Sequence, residues 1–533
     1  MTNFFTKKTG CHNEDKLFYI FPALQPTDEG NEMKNSSEVL SWLSRFPKFE
    51  DTWLGLSYAP HMPKHMVEET REVIAIARKF NDEVVKPLAL KLDRLTHEDV
   101  DYLPWDLVEE ANRWGFYTMW IPKMFGGQGY NMPSMSCFSE EVASACAGMM
   151  NVIGVHYLAV AGLIASGNAR LAKRILQEVV AGEKSGKPCV LALATTEPGA
   201  GTDVEESDLV DKGRVTCQAR RVENGYIVNG TKVFISMGHV SSWTVLYAYE
   251  DTRHPSETTI GFVVKTGTKG FSFGSHENKM GQRVCPASVL IFEDCFIPDN
   301  QVLFSSGLVK KFTKKPARDI AQRYIDYVVS ATRPGVCAFG IGIARGAFEA
   351  ALHYASSTEI NGRLLINQEW VQCMLAEMHK NVILGRLAYT EANNANSHRG
   401  LYRLLQIKPV YYYLKAMPRF WFDKVIAPVL DWELTSRIMG KLYFDLPKPE
   451  DQRCCSGWAS VAKFAGTDLG VKNCQMAIEI MGQKGLRQDA GVEKMLRDIK
   501  LLQIYEGTNQ LNRLNAFKCL IAPEVPQTKV FDE

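Results

Sequence analysis

Hydrophobic and polar positions follow three successive rhythms along the chain. In VEETREVIAIARKFNDEVVKPLALKLDR, PWDLVEEANRWGF and NARLAKRILQEVVAGEKSG, apolar residues return every three or four positions, which predicts amphipathic helices. IPKMFGGQGYNMPS between them reads as a Gly-rich loop. From about 188 to 304 the period falls to two: VTCQARRV, YIVNGTKVFIS, WTVLYAYE, TTIGFVVK and ASVLIFEDCFI predict strands, with Asn224-Gly225 and Asn229-Gly230 as turn pairs. After about 307 the helical rhythm returns in GVCAFGIGIARGAFEAALHYASS, QEWVQCMLAEMHKNVILGRLAYTEANNA and GWASVAKFAGTDLGVKNCQMAIEIMG. The order all-α, all-β, all-α predicts an α+β chain. Its expected parts are an irregular extension 1–63, a helical domain 64–187, a β domain 188–305, a second helical domain 306–523 and a tail 524–533.

Residues 397–451 break the rhythm. This segment is rich in aromatic and basic residues and reads as an insert within the second helical domain. Interleaved Trp, Tyr, Lys and Arg fit a membrane-surface or partner-binding element. The interspersed Asp423, Asp431 and Glu433 favour the plainer reading, in which the aromatics fill a local core.

Composition narrows the class. A chain of 533 residues with 46% apolar residues needs more than one core. Lys plus Arg is 61 against 60 for Asp plus Glu, a net charge of +1, so nucleic acid is not an expected partner. The 13 cysteines form no CxxC pair, and Cys454 and Cys455 are adjacent, which predicts reduced thiols and a cytoplasmic protein. The longest apolar run, VIGVHYLAVAGLIA, is short and interrupted by His156, so neither a signal peptide nor a membrane span is expected.

Candidate chemistry sits in two short stretches. In QIYEGTNQLNR, the spacing of Met495, Ile499, Leu502 and Tyr505 places Glu506 in the last turn of a helix, with Gly507 as its stop. There the helix dipole raises a carboxylate's pKa, as suits a general base, though for this segment alone a solvated helix-end glutamate is the favoured reading. In CVLALATTEPGAGTDVEES, an apolar strand runs into a turn with hydroxyls Thr195, Thr196 and Thr202, which offers donors to a ligand or closes an ordinary hairpin. GIGIARG, from Gly340 to Gly346, mimics a dinucleotide fingerprint, but its helical setting points to close helix packing. His239 has no visible partner and reads as a loop histidine.

Four motifs together resemble the acyl-CoA dehydrogenase family: TEPGAGTD at Thr196–Asp203, NGTKVFIS at Asn229–Ser236, KMGQRVCPASVLIFEDCFIP, and the YEGT of the stretch above. They occur in the family's order, over roughly 64–523 apart from the insert. The resemblance implies a helical domain, a middle β-barrel or sandwich domain and a C-terminal helical bundle. It also implies bound FAD and an acyl-CoA substrate that becomes the trans-2-enoyl thioester, with electrons passed to an electron-transferring flavoprotein, and a homodimer or homotetramer.

Carried over by position, Glu506 is the base that removes the α proton while flavin N5 takes the β hydride. Cofactor contacts fall to Thr195, Thr196, Gly201, Thr202, Phe234, Ile235, Ser236, Gln368, Gly482, Gly507, Thr508 and Gln510. Substrate contacts fall to Thr202, Arg333 and Gly507. Phe234 replaces the family's tryptophan. Some members place the base immediately before the arginine of the substrate helix; here that position is Thr332, which leaves Glu506. The family's FAD-contacting arginine and Phe-Gly are replaced by Thr358 and Asn361-Gly362, which leaves either Arg363 as a substitute for the charge or FAD held more weakly or by different groups, and Gln-x-x-Gly-Gly becomes Glu479 to Gln483. An oxygen-using acyl-CoA oxidase and a non-catalytic binding or assembly protein are the alternative readings. The insert leaves peripheral membrane contact open.

Overall fold

The computed structural model describes residues 63–309, 313–525 and 527–531, so the expected extension lies outside the described residues except for Pro63. Helices α1 (Lys64–Phe80) and α2 (Lys86–Glu98) form one amphipathic rod, interrupted by a wide turn at Asn81–Val85 where Pro87 has no N–H for an ordinary helical bond. After α3 (Trp105–Arg113), α4 (Met132–Ala165) starts on Asn131, whose side chain accepts the Ser134 N–H at 3.0 Å. It kinks at Cys146, where φ is −159°. α5 (Ala169–Ser185) is capped by Asn168 and stopped by Gly186 at φ +70°.

The middle region is one sheet of eight strands: β1 (Leu191–Ala194), β2 (Gln218–Val222), β3 (Gly225–Ser236), β4 (Trp243–Tyr249), β5 (Thr259–Lys265), β6 (Phe271–His276), β7 (Ala287–Pro298) and β8 (Val302–Ser305). Their order is β6-β7-β3-β2-β4-β5-β8, with β1 parallel to β4. Asn224, at φ +60°, makes the β2–β3 turn as expected, but Asn229-Gly230 is not a turn. The register between β3 and β7 slips there, and again between Lys232 and Ile235, so both places are bulges inside a long strand. The strands at FSFGSH and VLFS were not expected: both are short and weakly alternating.

The C-terminal region holds α6 (Ala317–Ser357), α7 (Glu369–Arg399), α8 (Lys408–Ala416), α9 (Glu433–Gly440), α10 (Pro449–Met481), α11 (Val492–Leu502) and α12 (Asn509–Leu520). α6 lies at its centre, packed on α4, α7 and α10. The GIGIARG glycines are the points of approach: a Cβ on Gly342 would lie 2.5 Å from Glu140 O, and one on Gly340 would lie 2.9 Å from Gly466 O. α4 and α6 are long and apolar enough to cross a membrane, yet most of their apolar windows are packed inside the protein. The 12 described cysteines are free thiols, most of them buried.

The insert divides its aromatics. Tyr411, Phe422, Tyr443 and Phe444 are buried, and Tyr411 and Lys415 both bond to Glu69 of α1 at 2.7 Å. Phe420, Trp432, Leu434 and Leu446 are exposed. A local core therefore accounts for part of the segment's aromatic content and not for all of it.

Candidate active site

Glu506 is not in a helix. α11 ends at Leu502, and Glu506 stands in the loop before α12 at φ +57°, a conformation that costs a non-glycine residue energy and persists only when its surroundings hold it. Three groups hold it here. Arg333 Nε and Asn512 Nδ2 both donate to the Glu506 carbonyl at 3.2 Å. Buried Lys463 donates to the next carbonyl, Gly507 O, at 2.7 Å. From below, Gln282 of the KMGQR motif accepts the Tyr505 hydroxyl at 3.3 Å and binds Asp498 of α11, which gives that motif a bracing role.

The carboxyl group itself accepts from Thr332 Oγ1 at 2.8 Å. That hydroxyl has a second acceptor, Val328 O, at 3.0 Å. One proton cannot serve both, so a protonated Glu506 can donate to Thr332 while the hydroxyl turns to Val328. Burial pushes the Glu506 pKa up to about 7, and the Glu205 carboxylate adds to the rise, against the opposing pull of Arg333, Thr332 and Lys463. The helix-dipole cause expected from the sequence gives way to desolvation and a like charge. Lys463 moves the other way, down to about 7, through burial first and then Arg333.

Arg333 does not line the cavity described below. It is 2% exposed, and its remaining nitrogens reach Ser460 and Glu205, each at 2.9 Å. The guanidinium is occupied in holding the loop that carries Glu506. Glu205, Lys463, Ser460 and Asn512 were missed by sequence reasoning. Glu205 follows TEPGAGTD without belonging to it, and Lys463 reads as one more polar position on a long helix.

The carboxyl opens on a cavity of about 440 Å³ between the sheet and helices α4, α6 and α7. It is lined by Glu506 and Gly507 and, on the sheet side, by Thr195, Thr196, Gly201, Thr202, Phe234, Ile235 and Ser236. Lys232 fixes this wall: its ammonium donates to Thr195 O and Glu197 Oε1, both at 2.8 Å, and neither Lys232 nor Glu197 has an exposed side-chain atom. The second bulge of β3 carries Phe234, at φ +59° and 60% exposed. A large apolar ring turned outward from a strained backbone position, flanked by half-buried hydroxyls, suits a planar heteroaromatic group with polar edges; an isoalloxazine ring fits that wall.

Gly507 sits at φ +75°, and a Cβ there would come within 2.9 Å of Glu205 Oε2 and Leu511 Cδ2. Gly507→Ala is therefore expected to destabilise the fold by about 1–3 kcal/mol and to displace Glu506. A drop in melting temperature accompanied by a lower kcat checks this; unchanged kinetics would contradict it.

Gln368, Gly482, Thr508 and Gln510 do not line the cavity. Thr508 caps α12 by accepting the Leu511 N–H at 3.3 Å, Gln368 starts α7, and Gly482 and Gln510 are exposed. Asn361 and Gly362, at φ +53° and +73°, form the tight turn of a small exposed hairpin. His239 is occupied outside the cavity, with Nδ1 2.6 Å from Ser288 Oγ and its ring stacked on Phe273.

Comparison with known proteins identifies the family and the fold. The models for the acyl-CoA dehydrogenase N-terminal, middle and C-terminal domains match residues 67–183, 192–295, and 323–405 with 445–520. The last match is interrupted over 406–444. Cyclohex-1-ene-1-carbonyl-CoA dehydrogenase of Syntrophus aciditrophicus is 27% identical, over 86% of this chain and 91% of that protein. The short-chain specific acyl-CoA dehydrogenase of Clostridium acetobutylicum is 26% identical, over 85% and 98%. Butyryl-CoA dehydrogenase from Megasphaera elsdenii shares the fold, with a TM-score of 0.63 and 20% identity over 85% of this chain and 98% of that one. A chain of the structure described as the electron transferring flavoprotein of Acidaminococcus fermentans superposes at TM-score 0.64, with 24% identity over 85% and 98%. With all three of its domains matched in order around this cavity, the chain belongs to the acyl-CoA dehydrogenase family of oxidoreductases.

Proposed function

We propose that the protein catalyses FAD-dependent α,β-dehydrogenation of an acyl-CoA thioester to its trans-2-enoyl product, with Glu506 as the base. The observation that carries this reading is a half-buried carboxyl group with a pKa raised to about 7, facing a cavity whose opposite wall suits a flavin. FAD, when bound, supplies the acceptor for the hydride that leaves the β carbon. Thr195, Thr196 and Ser236 would hold the ring's polar edge, and Phe234 would pack against it.

The chain's own residues handle the proton. A thioester α proton is a weak acid, so the base must lie close, shielded from water, and opposite a donor for the developing enolate oxygen. Among the described residues, the Glu506 N–H has no backbone acceptor, although its neighbours Ile504 and Tyr505 both donate to Leu501 O. It is the donor available to the thioester oxygen. After abstraction, the Thr332 hydroxyl takes a hydrogen bond from the new carboxylic acid and turns to Val328.

The base acts ionised, so kcat/KM is expected to rise with pH through about 7 and level off above it. A profile that rises instead near 4.5, the ordinary glutamate value, would contradict the assignment. We assign the electrons to an electron-transferring flavoprotein, in keeping with the likeness to the Acidaminococcus chain. Slow reoxidation of the product-bound enzyme by air in stopped-flow spectra supports this acceptor, whereas fast reoxidation would make the enzyme an oxidase. A homodimer or homotetramer is part of the same reading: Ile383, Leu384 and Leu387 are exposed on α7, and a second copy would cover them.

A further inference from the structure

α6 borders the cavity from Ala321 to Phe339, a run of about 27 Å at the helical rise, so the site is longer than its reacting centre. Among the described residues, the only charged side chains lining it are Glu205 and Glu506. The phosphates of a CoA thioester would find no cation inside and must stay outside. What enters the space between the helices is therefore the acyl group.

Before its kink, α4 runs antiparallel to α7 along this space. Asn393 Nδ2 donates to Ser136 Oγ at 2.9 Å, and the Tyr389 hydroxyl to Glu140 at 2.8 Å, so falling numbers on α4 meet rising numbers on α7. Past the Ser136–Asn393 bond, that direction leads to Met132 on one side and to Ser397 and then Tyr402 on the other; all three line the cavity. Gly400 lets the chain turn closely after α7, since a Cβ there would lie 2.5 Å from Asn396 Oδ1. Tyr402 stands just beyond that turn, 4% exposed, and the adjacent Arg403 ties the turn to the insert by donating to Leu442 O at 3.1 Å. A buried ring on an anchored turn makes a fixed end wall.

A second chamber, of about 50 Å³, lies behind that wall. Met132 and Tyr402 line both spaces, and no other described residue does. Trp120, Tyr130, Leu405, Tyr411 and Leu414 supply much of its lining. Its two lysines are turned to protein acceptors: Lys123 Nζ donates to Lys415 O at 3.2 Å, and Lys415 Nζ to Glu69 at 2.7 Å. The match to the family's C-terminal domain is interrupted over 406–444, so Tyr411 and Leu414 belong to this chain's own insert. Only the Met132–Tyr402 partition separates this largely apolar chamber from the acyl space.

We propose that the Tyr402 ring is the stop that sets the longest acyl group the enzyme accepts. This rests on the acyl-CoA dehydrogenase reading and adds a specificity-determining residue to it. The test measures kcat/KM for straight-chain acyl-CoA thioesters of increasing length, using FAD-loaded protein and an artificial electron acceptor. In the wild type, kcat/KM should fall sharply beyond one length. For the first thioester past that length, taken relative to a short one, Tyr402→Ala should raise kcat/KM at least about tenfold, the scale on which an apolar pocket discriminates one methylene. Tyr402→Leu should move the limit the same way, and Tyr402→Phe, which keeps the ring, should leave the ratio as it was. The ratio separates this role from a structural one, because a loosened fold lowers kcat/KM at every length alike. Should Tyr402→Ala fail to fold, Met132→Ala opens the same partition and is held to the same ratio. An unchanged limit in the folded variants, or a limit that moves in Tyr402→Phe, would overturn the inference and leave the dehydrogenation intact. A wild-type protein that turns over no thioester would overturn the reading beneath it.

Discussion

Glu506→Gln is expected to lower kcat by about 10²- to 10⁴-fold with FAD still bound, the usual contribution of a positioned general base. Glutamine keeps the shape and can still accept from Thr332, and Arg333 and Asn512 hold the backbone carbonyl whatever the side chain. Only the capacity to take a proton is lost. The substitution also has a stability signature with a definite sign. A folded-state pKa of about 7 against an ordinary 4.5 means the unfolded chain gives up this proton more readily, so wild-type stability falls as pH rises between those values. The glutamine variant has no such loss, so its melting temperature relative to wild type should be higher above pH 7 than below pH 4.5. An inactive variant with that melting pattern fits a base kept in an unfavourable setting for function. Near-normal kcat would remove Glu506 from the chemistry.

Lys232→Met is the change with the largest expected effect on stability. Lys232 and Glu197 form an ion pair with no exposed side-chain atoms, and Glu197 also accepts from the N–H groups of Thr216 at 2.5 Å and Cys217 at 3.0 Å. Burial works to raise the Glu197 pKa, but Lys232 and those N–H groups overcome it and hold it below the ordinary value. Deleting the cation leaves a buried carboxylate without its counter-charge, which costs about 3–5 kcal/mol. Because Lys232 also holds Thr195 O, the wall proposed to meet the flavin should loosen, and the purified variant should lose both melting temperature and bound FAD. Removing both charges in Glu197→Gln/Lys232→Met should recover much of the stability, since the penalty lies in the uncompensated charge. If the double variant is as unstable as the single one, packing rather than charge accounts for the loss.

The α-β-α order was legible because long runs of one periodicity survive tertiary context, as in α7 and β4. The proposed base was singled out for a different reason: the resemblance of four ordered motifs points to Glu506, which its own segment could not do. The immediate setting of that residue was not legible. Periodicity carried the helix to Tyr505, whereas α11 stops at Leu502 and the next residues enter a loop held by partners far away in sequence, Arg333 and Lys463 among them. A buried charge that supports a loop from another helix leaves no local signal. For the same reason Arg333 read as a substrate contact, although three protein groups occupy it. Asn229-Gly230 read as a turn because a bulge and a turn use the same residues; only the strand partner distinguishes them.

The central claim is that this cavity removes a proton and a hydride from adjacent carbons of an acyl-CoA thioester. The most direct test is to mix the FAD-loaded protein anaerobically with a panel of acyl-CoA thioesters, following the flavin's visible absorbance and the mass of the recovered thioester. The account predicts that at least one thioester bleaches the flavin and returns lighter by two hydrogens, and that Glu506→Gln with FAD bound does neither. Bleaching and mass loss of the same rate in the glutamine variant, or a wild-type protein that holds FAD and leaves every thioester unchanged, would contradict it.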